Sequence, residues 1–143
     1  EAAALRLGVA LHVEWVKDPA HLDRAFATLA RTRPDAFLTT VEPFTEGHRQ
    51  RIVDFAAQQR LPAIYEDREF VDAGGLMAYG PGLAANYRRA ANYVDKILKG
   101  ARPTDLPVEQ PATFEFVINL RTARALGLTI PPSVLLRADE VIR

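Results

Sequence analysis

The sequence has no cysteine, one serine and one methionine, and its charges cancel: 18 Lys and Arg stand against 18 Asp and Glu. The missing cysteine excludes disulfides, thiolate-held metals and cysteine nucleophiles together. The zero balance removes the basic footprint on which nucleic-acid binding depends. No apolar run approaches the ~20 residues of a membrane span. The single serine, Ser133, follows two prolines and reads as a helix N-cap, not as a nucleophile. Histidine occurs three times, at His12, His21 and His48. None forms an HxxxH or HExxH pair, so no metal site is expected. No cofactor is expected either.

What remains is an ordinary folded domain. Of 143 residues, 48% are apolar and 25% charged, too apolar for a disordered chain. The length suits one domain able to bury a core without staples.

The periodicities alternate along the chain. Residues 1–7 read as the end of a helix, with Gly8 as its C′ residue. Val9–Val16 alternates, with Val9, Leu11, Val13 and Trp15 on one face, which predicts a strand. Asp18-Pro19 is an N-cap followed by proline at N1. The stripe Leu22, Ala25, Phe26, Leu29, Ala30 then predicts a helix ending near Arg33-Pro34. Ala36–Val41 reads as a strand, 48–60 as a helix, Ala63–Tyr65 as a buried strand and Leu76–Tyr79 as another. Residues 66–69 read as a polar loop, and Gly74-Gly75 as a break. Leu83, Tyr87, Ala90, Ala91, Val94, Ile97 and Leu98 mark a helix over 83–99, ended by Gly100. Residues 101–113, with Pro103, Pro107 and Pro111, read as a connector. Phe114–Leu120 reads as the final strand. A short helix to Gly127 follows, then a last helix from Pro131-Pro132-Ser133 through Val141.

This alternation predicts an α/β fold: a mostly parallel sheet with helices on both faces. In such sheets ligands bind outside the carboxyl ends of the strands. Three loops qualify, at 40–44, 65–69 and 79–82. They nominate Glu42, Tyr65, Arg68 and Tyr79 as ligand-binding residues around a polar, aromatic rim. Solvated loop side chains would give the same pattern. Glu66 and Asp67 form a carboxylate pair, but adjacency on a loop is poor evidence for acid–base chemistry. Gly80–Ala85 matches GxGxxA between a strand and a helix, the dinucleotide fingerprint. Pro81 removes a donor from it, and the helix leads to a proline-rich connector instead of a second strand. A tight turn feeding a helix N-terminus is the preferred reading.

From Arg60 onward the chain resembles the ABC-transporter substrate-binding proteins, in the group related to tryptophan/tyrosine-binding members. The resemblance rests on Leu61–Tyr65 (LPAIY), Arg68–Val71 (REFV) and Ala73–Gly80 (AGGLMAYG). It continues through Tyr93–Gly100 (YVDKILKG), Asp105–Pro111 (DLPVEQP), Phe116–Leu120 (FVINL), Ala125–Pro132 (ALGLTIPP) and Ala138–Ile142 (ADEVI). It implies one lobe of a type I periplasmic-binding-protein fold. The chain would be the second lobe of a protein about twice as long, and the whole of 1–143 a single fragment. The helix and connector at 81–111 would pack against the missing first lobe or against another chain, with helix 83–99 able to form a homodimer. The implied function is binding a small ligand, an amino acid or related compound, in an interlobe cleft and delivering it to an ABC permease. No catalysis, no nucleic acid and a periplasmic or other extracytoplasmic location are implied, with any export signal in the missing part. Members of that group place a Thr-Asp-Asn-like turn after a strand. Here that turn is Val41-Glu42-Pro43, and Pro43 offers none of the hydrogen bonds of an asparagine side chain. Two alternatives stand beside this reading: a dinucleotide-binding enzyme fragment using Gly80–Ala85, and the effector lobe of a sugar-repressor-like regulator.

Overall fold

A computed structural model describes residues 2–40, 42–111 and 113–143. The chain packs as two compact units, 1–34 and 35–143.

The first unit is helical. Helix α1 (Ala2–Arg6) ends at Gly8, whose φ of 66° is the left-handed value expected of a C′ glycine. Helix α2 (Pro19–Thr32) begins as predicted: the Asp18 carboxylate accepts the His21 N–H at 2.8 Å, and proline fills the first helical position. It buries Leu22 and Ala25. The expected strand Val9–Val16 is not one. Residues 9–17 form no ladder, and Val9, Leu11, Val13 and Trp15 are exposed. Alternation gives a segment the right faces, but only a hydrogen-bonded neighbour makes it a strand. His12 lies in this irregular stretch, against Glu14 at 3.2 Å.

The second unit holds a five-stranded sheet in sequential order: β1 (Phe37–Leu38), β2 (Ala63–Tyr65), β3 (Met77–Pro81), β4 (Phe114–Asn119) and β5 (Glu140–Ile142). All neighbours are parallel except β3 and β4, which run antiparallel with Pro81 opposite Phe114. The helices between them are α3 (Pro43–Gly47), α4 (Arg49–Gln59), α5 (Arg68–Asp72), α6 (Leu83–Leu98), α7 (Leu120–Ala125) and α8 (Pro132–Leu135). One sheet face presents Ala63, Tyr65, Ala78, Val117 and Asn119, all buried, in alternation with the other face. Helix α5 packs on β2, β3 and β4 and contributes Phe70 and Val71 to that core. Ile52, Val53 and Ala56 of α4 and Ala123 of α7 are buried as well.

Several expectations shift. The strand predicted over Ala36–Val41 is reduced to Phe37–Leu38, and Val41 lies outside the described residues. Helix α5 replaces the loop expected at 66–69, because the Asp67 carboxylate caps it by accepting the Glu69 N–H at 3.0 Å. The last helix stops at Leu135 and the chain then forms β5. Asp139 causes this: its N–H donates to the Phe116 carbonyl and its carboxylate accepts the Phe116 N–H, both at 2.8 Å, clasping 140–142 to β4. Ser133 is not the N-cap of α8; Pro131 is, without a side-chain bond.

Candidate functional site

The carboxyl ends of β1, β2 and β3 converge on Glu66. This residue follows the buried β2 directly, and only 6% of it is exposed. Its carboxylate meets the Thr39 hydroxyl at the end of β1 and the Thr45 hydroxyl on α3, the latter at 3.2 Å. Its backbone carbonyl lies against Gly80 of β3, where a Cβ would approach the oxygen to 1.8 Å. One residue therefore joins all three loops of the rim. Burial pushes the Glu66 carboxyl above the usual range, against the hydrogen bond from Thr39, which pulls the other way.

The residues nominated from the sequence are not gathered around one point. Tyr65 is 1% exposed and belongs to the core: its ring stacks on Phe70 at 4.8 Å and meets Phe37 edge-on at 6.1 Å. Its hydroxyl has no hydrogen-bond partner among the described residues, and burial pushes its pKa up strongly. Arg68 is engaged by carboxylates, with Glu115 at 2.7 Å, Glu140 at 3.1 Å and Asp72 at 3.4 Å. It pins α5 to β4 and β5. Tyr79 is exposed and stacks on Phe114 at 5.5 Å, with Phe116 edge-on at 6.0 Å. Glu115 alternates with Phe114 and Phe116, so Arg68 and Tyr79 lie against opposite faces of the sheet. Glu42 is exposed at the N-cap of α3, with no side-chain capping bond. Of the four, Glu42 and Tyr79 are exposed, Arg68 is half-buried and Tyr65 is buried.

Sequence reasoning missed Glu66, Thr39 and Thr45 as a group. The available signal was a carboxylate directly after a fully buried strand, together with hydroxyls after the preceding one. The pair Glu66-Asp67 divides instead of acting together, since Asp67 is spent on capping α5.

The GxGxxA run also has a structural account. Gly80 permits the close approach to Glu66, and Gly82 is the N-cap of α6. Helix α6 leads to the antiparallel β4, not to a parallel strand, so β3, α6 and β4 do not make the βαβ unit a dinucleotide site requires. Among the described residues no three His, Asp or Glu side chains converge as a metal site would need. No helix among them is long and apolar enough to cross a membrane.

Between Pro81 and Phe114, which pair side by side in β3 and β4, α6 and the connector at 101–111 form an arm. Helix α6 buries none of its sixteen residues, and Tyr87, Val94 and Leu98 are exposed. The arm is latched to itself: the Tyr93 hydroxyl donates to the Pro107 carbonyl at 2.7 Å, and Arg89 pairs with Glu109. Between helix and connector runs a groove of about 580 Å³ lined by Tyr93, Ile97, Leu106 and Val108.

A family model described as ABC transporter substrate binding protein matches residues 1–142. The chain belongs to that family. Among solved structures, a domain from Streptococcus pneumonia, described as an ABC domain in complex with L-Trp, is 26% identical. It superposes with a TM-score of 0.89, covering 99% of this chain and 49% of its own. A conserved domain protein from Vibrio cholerae is 25% identical, with a TM-score of 0.89, covering 98% of this chain and 47% of its own. A ligand-free, open substrate binding protein with adhesive properties from Clostridium difficile is 16% identical at a TM-score of 0.64. It covers 99% of this chain and 47% of its own, and at that identity shows the fold alone. No curated protein matches. This substrate-binding family member thus spans about half the length of the structures it resembles, and it has the α/β fold expected of a type I periplasmic-binding-protein lobe.

Proposed function

We propose that the chain is one lobe of a two-lobed ABC-transporter substrate-binding protein. It holds a small ligand, an amino acid or related compound, at the carboxyl ends of β1, β2 and β3, with the other lobe closing the cleft. It delivers that ligand to a membrane permease, works outside the cytoplasm and catalyses nothing. The observation that carries this is the superposition of nearly the whole chain on half of a domain described with bound L-Trp. The rim supports it, since Glu42, Tyr79 and the Thr39–Glu66–Thr45 group lie where α/β sheets take ligands.

Thermal unfolding of the two-lobed protein with a panel of amino acids, L-tryptophan included, tests the reading. A ligand present at 100 times its Kd adds about 2.7 kcal/mol and raises Tm. No rise with any of the panel at millimolar concentration would overturn it.

The arm fits the same reading. An amphipathic helix whose apolar stripe adds nothing to its own core suits packing against the first lobe. Amide exchange in α6 should then be at least about tenfold slower in the two-lobed protein than in the 143-residue chain. Equal exchange in the two would refute this packing. Slow exchange in a dimer of the short chain would assign the arm to a second copy.

A further inference from the structure

We propose that Glu66 is the positioning residue of the rim and that it works as a neutral acid, at the head of a directed hydrogen-bond chain that holds the loop after β1. The inference rests on the rim being the ligand-binding edge.

The direction follows from counting protons. The Thr45 hydroxyl has one proton and three acceptors within reach: the Glu42 carbonyl at 2.7 Å, Glu66 Oε1 at 3.2 Å and the Thr40 carbonyl at 3.4 Å. The shortest contact takes the proton. Thr45 Oγ1 can then serve Glu66 only as an acceptor, which requires a proton on Glu66 Oε1. Thr39 donates to the other carboxyl oxygen, Oε2. With neutral Glu66 every step is satisfied, from Thr39 to Glu66, from Glu66 to Thr45 and from Thr45 to the Glu42 carbonyl. With the anion, Thr45 must divide its one proton between Glu42 and Glu66, and each bond weakens. The Glu42 carbonyl also receives the Glu46 N–H at 3.1 Å, so the chain ends on the hydrogen bond that closes α3. Burial favours the same protonation state. The charged side chain acting on Glu66 from α3 is Glu46, which disfavours the anion further; β3 brings the Gly80 backbone against it, and Tyr65 adjoins in sequence.

Amide exchange at Glu46 and His48, whose N–H groups bond within α3, reads the loop without any ligand. Glu66→Gln keeps an acceptor for Thr39 and a donor for Thr45, so protection should stay within about threefold of the unmodified chain. Glu66→Ala and Thr45→Val each break the chain, and protection should fall about tenfold or more. Corrected for intrinsic exchange, protection in the unmodified chain should decline as pH rises through the raised Glu66 value, while Glu66→Gln stays flat with Glu46 still present. Glu66→Gln losing as much as Glu66→Ala would show that the anion is the working form and overturn the proposal. An unchanged Thr45→Val would do the same. L-tryptophan titrated into the two-lobed protein and its Glu66→Gln variant supplies the affinity comparison. Exchange decides the loop even where L-tryptophan does not bind, so the two readings fail separately.

Discussion

Gly80→Ala is expected to destabilise the chain severely. The added Cβ would lie 1.8 Å from the Glu66 carbonyl oxygen and 2.9 Å from its carbonyl carbon. Both are backbone atoms, so no rotamer change relieves the clash. Nor can β3 move away, being paired with β2 on one side and with β4 on the other. Separating the strands would break their ladder and the contacts of α5 above it. The cost belongs with the rare large effects, roughly 4 kcal/mol or more, against the ~5–15 kcal/mol total stability of a domain. Gly82→Ala is the control, because a Cβ there meets nothing nearer than the Ala85 methyl at 3.9 Å. Urea unfolding followed by circular dichroism reads both. A Gly80→Ala chain with an unchanged midpoint would show that the approach of β3 to Glu66 is not as close as described.

Phe70→Ala should cost about 3–5 kcal/mol, the range for deleting a buried aromatic ring. Phe70 is 1% exposed and stacks on Tyr65, itself equally buried. Helix α5 has only five residues, too few to hold itself by backbone bonds. Its attachment comes from Phe70 and Val71 beneath and from Arg68, whose pairs with Glu115 and Glu140 are part-exposed and worth little each. Losing Phe70 therefore loosens the whole loop after β2, including Asp67 and Glu66. At a urea slope of about 1–3 kcal/mol per molar, the midpoint should fall by about 2 M. A fall under about 0.5 M would mean that the site collapses around the deletion and that α5 is held mainly by its charges.

These effects concentrate where sequence reading was weakest. Elements with a local signature were legible: α2 from Asp18-Pro19 and its stripe, α6 from seven apolar positions at helical spacing, β2 from a short apolar run closed by polar residues. Elements made by distant partners were not. Val9–Val16 has strand alternation without a ladder, whereas 140–142 lacks a strong pattern and becomes β5 because Asp139 is clasped to Phe116. The nominated site divided in the same way. Position after a strand was readable, so Glu42, Tyr65, Arg68 and Tyr79 were named. Whether each side chain meets solvent, core or a counter-charge depends on what the other loops bring to it.

By itself the sequence determined the class of this protein. Its lack of cysteine excluded disulfide and thiolate-metal chemistry, its alternating periods required a mostly parallel α/β sheet, and its motifs from Leu61 onward carried the resemblance to the substrate-binding family that the match over residues 1–142 now shows. Only the tertiary structure decided that Tyr65 is core, that Arg68 is neutralised by Glu115 and Glu140, and that Glu66 joins three loops. Hydrophobic periodicity and capping act over a few residues and are written along the chain. The environment of a polar side chain is set by residues far along the chain, as in Thr45 with Glu66 and Arg68 with Glu140, and exists only after the strands have paired.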